Sequence, residues 1–273
     1  MNRLFVAYKP SGMSSNRFLS FLKRKYNVKK AGYSGTLDPF AKGVLIVGFG
    51  AYTRLFRFLD KTPKRYKATL WLGLKSDSLD TENIKEVKII SPFDIKQVKD
   101  AVENLKGELT YTPPLFSAKS INGQRAYDLA REGKKVELKK ITSMIYDIKM
   151  LHYNHPFVTF EANVSEGTYI RSLGEVIAKK LNTAGALSSL ERLNEGKFYF
   201  DDEKALDIKK SLNIKQNFYT KDLMDLKLGK KLALEDFKFK KDGIYFIDGD
   251  DFISVINIKQ NKVGYEIGRM EVC

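Results

Sequence analysis

Residues 64–73 read KRYKATLWLG. Tyr66, Ala68, Leu70 and Leu72 fall at every second position, and a period of two puts them on one face of a half-buried β-strand. Tyr66 stands at the start of that row, where a hydroxyl reaches a cleft. Phe157–Val164 repeats the pattern, with Val158, Phe160, Ala162 and Val164 as its inner row. Leu4–Tyr8, the apolar run Val44–Val47 and Met144–Leu151 also read as strands.

Helical spacing is scattered among them. Ser14, Ser15 and Asn16 are helix-start residues ahead of Phe18, Leu19, Phe21 and Leu22. Tyr52–Leu59 reads as helical. Ile95, Val98, Val102 and Leu105 mark an amphipathic helix stopping at Gly107. QRAYDLAREG predicts a short helix stopped by Gly133, and Ile170, Leu173, Ile177 and Leu181 predict another. Strands dominate and the helices follow no regular βαβ order, so the expected class is α+β. Asp201–Lys221, acidic and Lys-dense, reads as a surface connection. The tail from Leu223 is strand-rich, with a tight turn at Asp248-Gly249, and reads as a small β domain.

Among 273 residues, 48 Lys and Arg face 33 Asp and Glu, a net +15. Such an excess suits a polyanion, nucleic acid being the commonest, although a merely solvated lysine surface gives the same count. The one Cys is the terminal Cys273, and the two His are His152 and His155. That inventory excludes zinc sites built on Cys pairs, Cys–His hydrolases and zinc deaminases. Chemistry here runs on carboxylate, hydroxyl, amine or guanidinium. No run approaches the ~20 apolar residues of a membrane span. The opening NRLFVAYKPSG is too short an apolar segment for a signal peptide, so a cytoplasmic protein is expected.

Four stretches carry candidate chemistry. In GVLIVGFGAYT a strand meets Gly48-x-Gly50 and a helix, as in dinucleotide folds. The third glycine is absent, Thr53 taking its place, so a tight strand-to-helix turn is the better reading. In GYSGTLDPFAKG, residues 32–43, Asp38 is the only acid of a Gly-rich loop. It is either a turn residue bonding its own backbone or a functional carboxylate. In SEGTYIRSLGEVIAKKL, Arg171 lies in the first turn of a helix that starts at Thr168. A cation there opposes the helix dipole at a cost of roughly 0.3–1 kcal/mol. The side chain therefore either has a carboxylate partner or snorkels to solvent. In KPSGMSS, Lys9 ends a strand and faces either surface or cleft.

Together these stretches resemble the bacterial tRNA pseudouridine synthase B (TruB) family. KPSGMSSN is similar to the family's first motif, GYSGTLDPFAKGVL to its catalytic motif, KRYKATLWLG to the segment carrying its Tyr, and GTYIRSL to that carrying its Arg. FSAKSINGQRAYDLAR resembles an RNA-gripping insertion, SSLERL an active-site Leu segment, and LKLGKKL the opening of a PUA-like domain. The resemblance is strong over about 3–222 and weak beyond.

It implies a mixed, mainly antiparallel central sheet flanked by helices, the pseudouridine synthase fold. A catalytic domain would span 1–222 with the insertion at about 115–140, and a PUA-like β domain 223–273. The implied activity is isomerisation of uridine to pseudouridine at position 55, in the T loop of tRNA, without metal or cofactor. By position, Asp38 would be the nucleophile, attacking C6 of the base or C1′ of the sugar. Arg171 would pair with it, and Tyr66 would stack on the uracil and take part in removing the C5 proton. Tyr169 and Leu190 would line the pocket, with Lys9 in support. Tyr33 stands where the family has His against the RNA. Ser34, Glu166 and Glu191 likewise replace the usual Thr, Lys and Arg.

Lys119, Arg125, Arg131, Lys134, Lys135, Lys139 and Lys140, seven cations against three acids over 119–140, would grip RNA phosphates, with Phe116 and Tyr127 interleaved. The implied partner is tRNA through its T-stem loop. No membrane and no obligatory protein partner are expected, and the chain is expected to be a monomer. Because every proposed active-site residue lies at or before Leu190, a chain ending near Lys221 is expected to keep activity on a T-loop hairpin. Two rival readings are a non-catalytic tRNA-binding or folding protein and a nucleotide-cofactor RNA methyltransferase using GFGAYT.

Overall fold

A computed structural model describes residues 1–114, 116 and 138–272, and the backbone of 120–121 and 124–125. The strands are β1 (Arg3–Lys9), β2 (Ala31–Ser34), β3 (Lys42–Phe49), β4 (Lys64–Leu72), β5 (Leu74–Ser76), β6 (Ile84–Val87), β7 (Gly107–Tyr111), β8 (Ser120–Ile121), β9 (Gln124–Arg125), β10 (Ile141–Asn154), β11 (Phe157–Val164), β12 (Gly185–Glu195), β13 (Lys215–Asn217), β14 (Gly243–Asp248), β15 (Phe252–Lys259) and β16 (Lys262–Glu271). The longer helices are α1 (Ser15–Lys25), α2 (Ile95–Glu103) and α3 (Ile170–Lys180). The fold is the expected mixed architecture around a central, mainly antiparallel sheet.

That sheet runs β1-β3-β12-β4-β11-β10-β7, with β2 added on β3. Its one parallel pairing is β12 with β3, at Glu191–Lys42 and Arg192–Gly43. The alternation read from β4 and β11 is the observed burial, and the two rows share a core with α2 and α3. β3 is buried on both faces, which is why its sequence is a continuous apolar run. Phe18 and Leu22 of α1 cover one face of β1 and β3. Tyr52, Leu55 and Phe58 cover the other.

Tyr52–Leu59 proves to be a 3₁₀ helix, Gly50–Phe58. Its start explains the GFG stretch. Gly50 has φ +63°, and a Cβ there would lie 2.2 Å from Asn2 Oδ1. The glycines serve a turn packed against the N-terminus, and the nucleotide-cofactor reading loses its motif.

Other boundaries moved. α2 is capped by Asp94, whose carboxylate accepts from the Lys96 and Gln97 amides, and Ile95 is exposed outside the apolar face. It stops at Glu103, and Gly107 opens β7 instead. In the stretch expected to be helical from Gln124, Gln124–Arg125 is a strand, and the remainder lies outside the described residues. Among the described residues no helix is long and apolar enough to cross a membrane.

The largest correction concerns Asp201–Lys221. Ile208 and Leu212 are buried, and Lys215–Asn217 is a strand of the small sheet, β13-β14-β15-β16. Charged neighbours mask these apolar positions in the sequence. Phe246, Ile253, Val255, Ile267 and Met270 of that sheet share one apolar cluster with Leu4, Val6, Val44 and Ile46. Apolar packing thus runs across the boundary expected at 222/223.

A chain ending at Lys221 would uncover that cluster, which argues against the expected active truncation without testing it. Loss of a cooperative thermal transition is expected, and a sharp transition near the full-length melting temperature would overturn this. Ile208→Ala or Leu212→Ala should cost about 2–4 kcal/mol in urea unfolding, the range for buried aliphatic truncations. A true surface connection would lose less than ~0.5 kcal/mol.

Candidate active site

Asp38 lies in the loop between β2 and β3, and three contacts fix that loop to the first motif. Ser15 Oγ donates to the Leu37 carbonyl (2.9 Å) and accepts from its amide (3.0 Å). The Gly12 amide donates to the Pro39 carbonyl at 2.8 Å. Lys9 Nζ donates to the carbonyls of Pro10 (2.9 Å), Met13 (2.7 Å) and Pro39 (3.5 Å). Lys9 is fully buried, so it faces neither surface nor cleft and acts as an internal clamp. Burial pushes its amine down to about 8, against the pull of Asp38.

Arg171 enters from the first turn of α3, whose cap is Tyr169 and not Thr168. Thr168 bonds back to Ser165, and the Tyr169 amide donates to the Tyr111 hydroxyl at 2.9 Å. The guanidinium is buried. Nε meets Asp38 Oδ2 at 2.9 Å. Nη1 donates to Ser78 O (2.7 Å) and Asp80 Oδ2 (3.1 Å), and Nη2 donates to Phe116 O (2.7 Å). The cation at the helix start therefore has the carboxylate partner its placement called for, and a second one besides. Asp80 is buried, accepting on Oδ1 from Ser78 Oγ (2.5 Å) and the Glu82 amide (2.9 Å). Sequence reasoning missed it, because nothing separates Asp80 from its acidic neighbours Asp77 and Glu82.

Two recesses meet at this ion pair, both lined by Thr36, Leu37, Asp38 and Arg171. One, of about 370 Å³, is also lined by Ser14, Asn16, Tyr33, Asp80 and Phe116. The other, of about 310 Å³, holds Tyr66, Tyr169, Leu190, Lys64 and Arg192. Of the expected site residues, Asp38, Arg171, Tyr66, Tyr169 and Leu190 thus converge, Tyr33 sits across the ion pair, and Lys9 is behind the loop. The Tyr66 hydroxyl has no hydrogen-bond partner among the described residues and is free for a ligand. The Tyr33 hydroxyl donates to Asn16 Oδ1 at 2.8 Å.

Behind the second recess lies a charge cluster the sequence reading did not single out. Arg192 Nε donates to Val44 O (2.8 Å) and Nη2 to Gly35 O (3.0 Å), while Nη2 pairs with Glu195 (2.9 Å). Lys64 meets the same carboxylate at 3.1 Å. The available signal was parity, since Arg192 shares the inner face of β12 with Leu190. Where the chain passes this strand, Gly43 has φ +116°, and a Cβ there would lie 2.2 Å from the Arg192 carbonyl oxygen. The two acids at positions usually basic are both paired: Glu166 with Lys61 (3.3 Å) and Lys64 (3.7 Å), Glu191 with Lys42 (3.5 Å) and the Tyr8 hydroxyl (2.6 Å). Lys139 and Lys140 are exposed. Lys119, Arg131, Lys134, Lys135, Tyr127 and the side chain of Arg125 lie outside the described residues.

Burial raises the Asp38 carboxyl above the usual range, Arg171 opposes that shift, and Asp80 reinforces it. A raised carboxylate pKa means that the folded state holds the proton more tightly than the unfolded one. The ionised form therefore costs stability above the folded pKa, and the cost vanishes as pH falls to the unfolded value of ~3.9. Asp38→Asn should melt at or above the wild-type temperature at pH 7, with the gap closing toward pH 4. A variant less stable than wild type at pH 7 would contradict the sign. Asp80→Asn, in contrast, removes a carboxylate from a buried guanidinium and should lower stability by a few kcal/mol, up to about 3–5.

Residues 23–170 match the family described as TruB family pseudouridylate synthase, N-terminal domain. The chain is 63% identical over 272 residues to tRNA pseudouridine synthase B of Sulfurimonas denitrificans, covering 99% of this chain and 100% of the relative. It is 55% identical over 273 residues to the protein of that name from Campylobacter jejuni strain RM1221, covering 100% of both. Among solved structures, a Cbf5-Nop10-Gar1 complex superposes with a TM-score of 0.67 at 20% identity, over 99% of this chain and 84% of the other. An H/ACA RNP bound to a substrate RNA containing 2′-deoxyuridine gives 0.66 at 20% identity, with the same coverage. At that identity these two likenesses bear on the fold, and they agree with the central sheet described above. Matched along its whole length by these relatives, the chain belongs to the TruB family of pseudouridylate synthases.

Proposed function

We propose that this chain isomerises uridine to pseudouridine in tRNA, at position 55 of the T loop, with Asp38 as nucleophile. The observation that supports this most directly is the Arg171–Asp38 pair at the junction of two recesses, beside an unpartnered Tyr66 hydroxyl. The reaction breaks the N1–C1′ bond, turns the uracil and forms C5–C1′, while the C5 proton is released to solvent and N1 takes up a proton. No atom is gained or lost. It needs a group that bonds covalently and departs again, and a carboxylate does both.

The target base leaves its stack and enters the Tyr66 recess. Tyr66 packs on the uracil and helps remove the C5 proton, while Tyr169 and Leu190 close the sides and exclude water. Arg171 orients the Asp38 carboxylate and is itself held by Asp80. Lys9 keeps the nucleophile loop on the first motif. The Tyr33 ring fills the gap left by the flipped base, in the recess across the ion pair. The cations of 119–140 hold the RNA backbone. The enzyme works as a monomer without partner proteins, in the cytoplasm, where its substrate is.

Asp38→Asn should abolish tritium release from tRNA labelled at uridine C5, while RNA binding survives. Residual activity within about tenfold of wild type, roughly 1.4 kcal/mol of barrier, would sink the nucleophile assignment. Binding without turnover in the wild type would favour the non-catalytic reading.

Tyr33→Ala should weaken productive binding roughly 5- to 150-fold, from the 1–3 kcal/mol of base–aromatic stacking. Tyr33→Phe keeps the ring and loses an exposed hydrogen bond to Asn16, so a few-fold effect is expected, from about 0.5 kcal/mol. Single-turnover rates and tRNA affinities separate the cases, and a harmless Tyr33→Ala would remove the ring from the mechanism.

A further inference from the structure

The first 37 residues contain eight Lys and Arg and no Asp or Glu, Asp38 being the first acid of the chain. Three of those cations are spoken for inside the protein. Arg3 donates to the Glu203 carbonyl, Lys9 is the buried clamp, and Lys25 pairs with the Glu203 carboxylate at 2.7 Å. The other five, Arg17, Lys23, Arg24, Lys29 and Lys30, have no ion pair among the described residues. Four are exposed and Lys23 is half-buried. More than half of the net +15 thus originates in 37 residues, and its unpaired part is concentrated on and just after α1.

The placement on α1 is directional. Ser14, Ser15 and Asn16, at its start, line the recess that holds Tyr33 and Asp38. Its far end borders a shallow recess of about 480 Å³ lined by Ser20, Lys23, Arg24, Asn27, Val28 and Lys29. Eight residues separate Asn16 from Arg24, about 12 Å of helix. Arg17, Phe21 and Arg24 follow the i, i+4, i+7 spacing of one face. Phe21 is 48% exposed and lies parallel to Phe18, with ring centroids 6.3 Å apart.

A helix-stabilising role accounts for only part of this. Lys23 and Arg24 in the last turn complement the helix dipole, but Arg17 sits in the first turn and opposes it. Lys29 and Lys30 lie beyond the helix altogether. Unpaired cations flanking an exposed aromatic ring, in line with the cleft, match what an RNA strand requires: charge for phosphates and a flat apolar face for a base or ribose.

We propose that the exposed face of α1, continued by Lys29 and Lys30, is a second RNA-binding track that carries phosphates of the tRNA outside the target loop. It is distinct in sequence from the grip proposed over 119–140, and it rests on the reading that the substrate is tRNA.

The test compares wild type with Arg17→Gln/Arg24→Gln/Lys29→Gln/Lys30→Gln, measuring affinity for one unmodified tRNA transcript between 50 and 300 mM salt. Each lost phosphate contact removes about 0.7–0.9 from the slope of log affinity against log salt. The slope should become shallower by about 2–4. The charge-conserving set Arg17→Lys/Arg24→Lys/Lys29→Arg/Lys30→Arg should keep the wild-type slope. Arg17→Gln alone guards against misfolding, because it removes an unfavourable charge from a helix start, and its slope should fall by about 1. Slopes equal to wild type in both Gln variants would overturn the proposal. Pseudouridine formation by the wild type on the same transcript is read in parallel. An isomerising enzyme with an unresponsive slope faults this track, whereas a responsive slope without isomerisation faults the catalytic reading and leaves the track standing.

Discussion

The Arg171 guanidinium is the joint on which the active-site geometry depends. It is buried in the first turn of α3 and reaches three separate segments: Asp38 in the loop between β2 and β3, Ser78 and Asp80 after β5, and Phe116. Taking a charge out of water costs several kcal/mol, and only well-placed partners offset that. Burial and pairing are therefore one constraint. The partners offset the cost of holding the guanidinium in the interior, and the guanidinium brings together segments far apart in the chain. A helix whose apolar stripe packs on β4 and β12 supplies the rigid base, so the core sets where Asp38 can stand.

A second set of buried charges supports the loop from behind. Lys9 caps carbonyls of both motif loops, and Arg192 caps those of Gly35 and Val44 at the two ends of the Asp38 loop. Glu195, flanked by Arg192 and Lys64, keeps this layer from accumulating unbalanced positive charge. The backbone of a short irregular loop has no ladder to satisfy its carbonyls. Cationic side chains do so here, and leave Asp38 free of its own backbone. Of the two meanings its sequence context allowed, turn residue or functional carboxylate, the ion pair with Arg171 favours the second.

What the sequence revealed follows from the range of the interactions. β4 and β11 were legible because one face is buried and the period is two. The central run of β3 was legible because both faces are buried. Arg171 was legible as a misplaced charge seeking a partner. Asp80 was not, because its role exists only through a contact 91 positions away. Ile208 and Leu212 were hidden by Asp207 before them and Lys209 and Lys210 between them, where composition outweighed a weak pattern. Lys9 was assigned to the pocket because its motif is there, but burial of an amine among carbonyls leaves no local trace. The motif resemblance supplied the roles of Tyr66, Tyr169 and Leu190, which periodicity alone would have read as core.

Charge at the centre and charge at the surface answer different needs. The cleft carries two carboxylates on one guanidinium, and its remaining cations, Lys64 and Arg192, already face carbonyls or Glu195, while Lys9 is buried behind the loop. A polyanion approaching that centre meets little uncommitted positive charge. Screening also confines each surface cation to within roughly 8–10 Å at physiological salt. Phosphate attraction must therefore come from residues arranged around the cleft and not within it. The unpaired cations of α1, a helix whose start lines the recess, are of that kind. The same division keeps the RNA's charge from being drawn onto Asp38 itself.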